Sequence, residues 1–282
     1  MTNVSGSTGT FLATGTLDGF NVTVSPASLT LANGATGSFT VTMARTSAAL
    51  NAWSFGNLTW SDGVHKVVSP LNGRALGFAA PAVIADVRSS GSGTKVVSVV
   101  SSYTGSLAVS PVGLVPATRN TSAIAQGATQ CFNTTVPAGV QVARFQLFNA
   151  DTSVAADLDL DVFNGPAGTG TNVGSSGGGT SDEAVTLAAP AAGTYSACVT
   201  AFAAAGGVTY TLSNWVVGPA VGPQTLRASA PSKVYTGGAA SIGVAWSVPA
   251  GARYLGNLTF SDTTVAGSPV TLGSTIVFVD NR

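Results

Sequence analysis

Histidine, cysteine and clustered carboxylates carry most protein chemistry. This chain of 282 residues holds one histidine, His65, two cysteines, Cys131 and Cys198, and eleven acids. Ser-His-Asp catalysis needs a histidine between a nucleophilic serine and an orienting carboxylate. His65 closes the stretch Trp60-Ser61-Asp62-Gly63-Val64-His65, and no Gly-x-Ser-x-Gly elbow opens a helix. If Asp62-Gly63 is a two-residue type I′ turn, Ser61 pairs with Val64 and Trp60 with His65. His65 then shares a face with Leu58, Trp60 and Val67, which is a packing position. The chain is expected not to cleave peptides.

The acids are clustered. Asp151, Asp157, Asp159, Asp161, Asp182 and Glu183 fall within 33 residues. Strand alternation puts Asp157, Asp159 and Asp161 on one face, about 7 Å apart, with Leu158, Leu160 and Val162 on the other. Like charges at that spacing repel, and the only basic residue nearby is Arg144. Calcium would relieve the repulsion, with Asp182 and Glu183 completing the shell if the next strand lies alongside. The other reading is a solvated acidic strand that discourages edge-to-edge pairing. The run lacks EF-hand spacing. No other cofactor is expected.

Cys131 and Cys198 stand 67 residues apart with no Cys-x-x-Cys, so one disulfide in an oxidising compartment fits better than zinc. Eleven basic residues balance the eleven acids, and only 8% of the chain is charged. Nucleic-acid binding, which rests on phosphate neutralisation, is thereby disfavoured. The longest mostly apolar run, Ala75 to Ala85, is broken by Pro81 and falls far short of the roughly 20 residues of a membrane span. Met1 to Ser5 lacks the basic and apolar regions of a secretory signal, and a mature fragment of a secreted chain would begin the same way.

The elements that must position these groups are strands. Short alternating runs such as Phe20 to Val24 and Ser38 to Met43 are punctuated by turns such as Asn33-Gly34, and no 3.6-residue apolar period is sustained. Gly56-Asn57-Leu58-Thr59-Trp60-Ser61-Asp62 recurs as Gly256-Asn257-Leu258-Thr259-Phe260-Ser261-Asp262. The repeat indicates two related sandwiches flanking something different. Gly165 to Thr180 reads as a long mobile loop, and Gly218-Pro219 with Gly222-Pro223 brackets a linker. The expected domains are residues 1–78, 79–218 and 219–282. The fold class is all-β, as tandem β-sandwiches.

Val24-Ser25-Pro26-Ala27-Ser28-Leu29-Thr30-Leu31, Phe39-Thr40-Val41 and Leu58-Thr59-Trp60-Ser61-Asp62-Gly63-Val64-His65 resemble the fibronectin-III-like domain that follows the catalytic domain of many subtilisin-like serine proteases. Trp60, Asp62, Gly63 and His65 are the structural residues of that motif. Phe145 to Phe148, Ala156 to Leu160, Val173 to Ser176 and Pro190 to Tyr195 resemble the pre-peptidase C-terminal jelly roll. Residues 219–282 resemble the first module loosely. The resemblance implies a fibronectin-III-like sandwich, a jelly roll and a second fibronectin-III-like sandwich. It implies the non-catalytic C-terminal region of a secreted, extracellular subtilisin-like protease. The expected partners are the parent's catalytic domain, protein substrate or extracellular matrix, with no nucleic acid and no transmembrane segment. A stand-alone adhesin or glycan-binding protein is the alternative, with a structural surface or fibre subunit third. Trp53, Trp60, Trp215 and Trp246 serve either as core anchors or as a flat binding platform.

Overall fold

Alternation of apolar and hydroxylated residues dominates the chain, and the computed structural model turns it almost entirely into β-strands. It describes residues 1–49, 52–75, 78–101, 103–167, 169–219 and 225–282, and no α-helix occurs among them. Two compact units form, residues 1–77 and 78–282.

In the first unit, β1 (Gly9–Leu17), β2 (Phe20–Ser25), β3 (Ser28–Leu31), β4 (Thr40–Arg45), β5 (Trp53–Ser61) and β6 (Lys66–Arg74) form one sheet of order β4-β2-β1-β5-β6, with β3 paired to the start of β1. Phe11, Leu58 and Trp60 are buried, and the Phe39 ring packs 4.9 Å from that of Trp60. Gly56 sits where β1 and β5 cross closely. A Cβ there would lie 1.9 Å from the Thr16 carbonyl oxygen, so no larger residue fits.

The second unit begins with β7 (Phe78–Ala79), β8 (Val83–Val87), β9 (Ser92–Ser101) and β10 (Gly105–Pro116). Eight strands follow: β11 (Thr118–Ile124), β12 (Thr129–Val136), β13 (Val142–Gln146), β14 (Asp157–Asn164), β15 (Thr171–Ser176), β16 (Ala184–Ala188), β17 (Gly193–Ala203) and β18 (Val208–Val217). The chain closes with β19 (Leu226–Ser229), β20 (Lys233–Val234), β21 (Ala239–Ser247), β22 (Arg253–Asp262) and β23 (Val270–Asp280). The eight middle strands make two packed sheets, β11-β18-β13-β16 and β12-β17-β14-β15. Phe145, Leu158, Leu160, Val162 and Val199 fill the space between them.

The sequence reading assigns residues 79–116 to the jelly roll, but strand pairing assigns them to the last sandwich. Its sheets are β20-β10-β22-β23-β8 and β19-β21-β9-β7. The jelly roll is therefore an insertion between β10 and β19. Alternation in β9 announces a strand without naming its partner, which is β21, nearly 150 residues later in sequence. The Gly165 to Thr180 stretch is likewise not one loop, since Thr171–Ser176 forms β15 and pairs with β14. Of the expected linker, residues 220–224 lie outside the described residues.

Insert and host share a joint. Val142, Trp215 and Val217 from the jelly roll pack with Val112 and Leu255 from the sandwich. The Arg253 guanidinium is buried there, 3.3 Å from the centroid of the Phe148 ring, with Nε donating to Asp280 at 2.9 Å and Nη1 to Asp151. Arg282 Nη1 donates to Asp151 at 2.7 Å, and the Trp215 indole donates to the Arg253 carbonyl at 3.3 Å. Burial pushes the Asp151 and Asp280 carboxyls up, but hydrogen bonds from Arg282 and Arg253 outweigh it and hold both below the usual carboxylate range.

Removing one member of a buried pair strands the other charges, at about 3–5 kcal/mol. Arg253→Ala is expected to cost that much in urea denaturation. Depressed carboxyl pKa values stabilise fully above the unfolded value, near pH 4. The deficit of the variant therefore shrinks as pH falls below that point.

Candidate functional site

The acidic strand β14 has the expected alternation, with Leu158, Leu160 and Val162 buried and the aspartates turned outward. Each carboxylate has a different setting. Asp161 accepts from Ser175 Oγ at 2.5 Å and Asn172 Nδ2 at 3.1 Å. Asp159 lies against Gly177, where a Cβ would come within 2.8 Å of its Oδ1. Asp157 Oδ1 is buried without a hydrogen-bond partner. Glu183 is buried and accepts from Gly178 N at 2.5 Å and from Ser176 Oγ. Ser176 centres a Gly-x-Ser-x-Gly stretch, but it ends a strand and donates to the Glu183 carboxylate.

Asp182 goes elsewhere. It accepts from Asn149 N at 2.8 Å and Asn149 Nδ2 at 2.6 Å, holding the short 3-10 turn Asn149–Asp151. Successive residues on an extended chain point apart, so Glu183 turns toward β14 and Asp182 away from it. Arg144 does not serve the acids either. It donates to Gln146 and Thr186, and burial lowers its pKa. Among the described residues no three Asp, Glu, His or Cys side chains gather in a way that would hold a metal ion. The five residues considered as calcium ligands are thus not brought together as one shell. Burial, then the charges of Asp157, Glu183 and Asp161, raise the Asp159 pKa.

On the same sheet Cys131 and Cys198 stand opposite each other on β12 and β17 and form a disulfide. Closing a loop of 67 residues stabilises by about 4 kcal/mol in the chain-entropy account.

The β5–β6 turn departs from expectation. Ser61 pairs with Lys66 and Trp60 with Val67, so the turn holds four residues and His65 lies beyond the strand end. Its side chain is 53% exposed rather than packed. The cause is Asp62, whose Oδ1 accepts from His65 N at 2.5 Å and Val64 N at 2.9 Å, while Oδ2 meets His65 Nδ1 at 2.9 Å. Asp side chains mimic backbone in this way and lengthen turns. Gly63 supplies the φ of +91° that the turn requires. These bonds, the His65 amide first, lower the Asp62 pKa to about 2. Ser61 Oγ donates to the His65 carbonyl at 3.0 Å and not to the imidazole, so no triad forms. Trp60, Trp215 and Trp246 are core residues, whereas Trp53 is exposed.

Residues 1–72 match the family model of the Fibronectin type-III domain, and residues 128–201 that of the Bacterial pre-peptidase C-terminal domain. The chain carries both modules. Each is non-catalytic. The pre-peptidase C-terminal match falls within the inserted jelly roll, and the fibronectin match covers nearly all of the first unit. No curated protein matches the chain. Among solved structures, the periplasmic lysozyme inhibitor PliG of Aeromonas hydrophila, an inhibitor of g-type lysozyme, is 18% identical over 36% of this chain and 86% of that one, at a TM-score of 0.27. Tripeptidyl Peptidase 2 is 10% identical over 99% of this chain and 26% of its own, also at 0.27. Neither overlay is close enough to bear on fold or function.

The sequence reading missed the Arg253 cluster and the exposed Phe55, and it left Trp53 open between core anchor and platform. Asp151 had been grouped with the β14 acids on proximity in sequence alone. The repeat held a signal for Trp53, because it stands 200 residues before Arg253, itself buried at a joint.

Two outcomes follow. Asp159→Asn removes a repelled charge and is expected to raise the melting temperature at pH 7, with the gain vanishing in acid, where the raised pKa leaves Asp159 protonated. A strand stabilised by calcium would show the reverse, a loss of melting temperature in calcium on the same substitution. A fluorophosphonate probe is expected to label no serine, and stoichiometric labelling would contradict the non-catalytic reading.

Proposed function

We propose that this chain is the non-catalytic accessory region of a secreted subtilisin-like serine protease, working outside the cell to scaffold a catalytic domain or bind protein substrate, matrix or cell surface. The observation that carries this is the pairing of a fibronectin type-III module with a pre-peptidase C-terminal module. Pre-peptidase C-terminal modules are typical of secreted bacterial proteins and typically form the C-terminal region of secreted proteases. A cross-strand disulfide suits an oxidising compartment. Among the described residues no helix is long and apolar enough to cross a membrane.

The second reading, a glycan-binding or adhesive protein, draws on Trp53 and Phe55, two exposed aromatics on one face of β5. Sedimentation with insoluble matrices separates the two. The chain is expected to pellet with fibrous protein such as hide powder and to stay in solution with chitin or cellulose. Retention by polysaccharide alone would favour the second reading, and retention by neither would remove the matrix-binding role.

A further inference from the structure

The inserted jelly roll is open along one side, where its first two strands part into different sheets. β11 is the edge of β11-β18-β13-β16, and β12 is the edge of β12-β17-β14-β15. A cavity of 370 Å³ lies there, lined by Thr118 and Asn120 of β11, Asn214 of β18, and Asn133, Thr134 and Thr135 of β12. That volume falls in the range of small-ligand sites. None of the lining side chains is charged.

The two walls offer different groups. Where β12 begins, Ala201 N donates to the Ala128 carbonyl at 3.0 Å. Backbone groups of an antiparallel strand alternate in direction from such a pair. β17 therefore takes those of Phe132 and Thr134, and the N–H and C=O of Asn133 and Thr135 point to the open edge. On the opposite wall Asn214 pairs with Phe145 and Asn120 with Leu212, both core residues, so the two asparagines stand on the inner face. Asn214 is only 5% exposed, and its Oδ1 accepts from Asn120 Nδ2 at 3.3 Å. Among the described residues nothing bonds Asn214 Nδ2 or Asn120 Oδ1, and neither atom is sealed from solvent. The wall thus keeps an unused donor beside an unused acceptor.

We propose that this cleft binds an extended peptide segment, which adds a strand to the edge of β12 and places one carboxamide side chain, Gln or Asn, between the two sheets. The inference rests on the protein-binding reading and names a site for it. An added strand satisfies the free backbone groups of Asn133 and Thr135. Side chains on that strand alternate, so one turns inward toward β11 and β18. A carboxamide there accepts from Asn214 Nδ2 and donates to Asn120 Oδ1. A carboxylate has no donor for Asn120, and an ammonium has no acceptor for Asn214. With no charged group in the cleft, neither ion would find a counter-charge there.

The test is isothermal titration of the full chain with the neutral peptide acetyl-Thr-Val-Gln-Val-Thr-amide. The expected result is saturable one-to-one binding at millimolar concentration or below. Replacing the peptide's Gln by Leu is expected to weaken binding about tenfold, because the Asn120 and Asn214 groups are then covered and left unpaired. Two further peptides are N-methylated at alternate amides, and the one whose methyl groups face β12 is expected to lose binding. Thr135→Pro removes an edge donor that the fold does not use, so it is expected to abolish binding and leave the melting temperature little changed. Absence of binding at millimolar peptide would overturn the proposal. Equal binding of all the peptides would overturn it too, by placing the contact away from this edge. Cellobiose bound in the peptide's place would make the cleft a saccharide site instead. Retention on hide powder without peptide binding would remove this site and leave the protein-binding reading standing.

Discussion

One buried cation fixes how the jelly roll and the sandwich of the larger unit are set against each other. Arg253 lies on the outward face of a central strand, where its charge would ordinarily be solvated. It is instead enclosed between the Phe148 ring and two carboxylates, Asp151 from the inserted jelly roll and Asp280 from the host sandwich. Burying a guanidinium is costly unless both its charge and its donors are satisfied. The planar fork does so by reaching one carboxylate on each side of the joint. A rotation of the jelly roll against the sandwich would separate Asp151 from Arg253 and leave buried charge unpaired. The cluster therefore favours one orientation over others, and the apolar contacts of Trp215, Val142 and Leu255 contribute the bulk of the adhesion.

The same constraint explains how one sandwich accommodates an insertion. The jelly roll enters after β10 and leaves before β19, and its own strands pair only with one another. Its first and last strands, β11 and β18, are neighbours in one sheet. The insert thus begins and ends at one edge, and the host ladders form on either side of it, β9–β21 in continuous register and β10–β22 with one bulge between Val112 and Val115.

Much of this was legible from residue patterns. The all-β class, the outward aspartates of β14, the Cys131–Cys198 bridge and the core role of Trp60 all follow from alternation, composition and spacing. These features are local, or depend on side-chain chemistry that leaves few options. His65 shows where local reasoning failed. The expected pairing of Trp60 with His65 does not form, because Asp62 captures two backbone amides and lengthens the turn, carrying the histidine past the strand end into solvent. The register of a hairpin depends on the turn that closes it, and a side chain that imitates backbone alters the count.

Tertiary structure alone decided which strands are partners and which acids meet. Asp182 and Glu183 are adjacent in sequence, yet one holds the turn at Asn149 and the other faces β14. Asp151 looked like a member of the acidic cluster and proved to be the counter-ion of Arg253, 102 residues away. Residues 79–116 looked continuous with the jelly roll and belong to the sandwich that resumes after it. The physical reason is common to all three. Alternation specifies which face of a strand is buried, because side-chain period is a property of the extended backbone. The choice of neighbouring strand rests on packing between segments distant in the chain, and no short stretch of sequence encodes that distance.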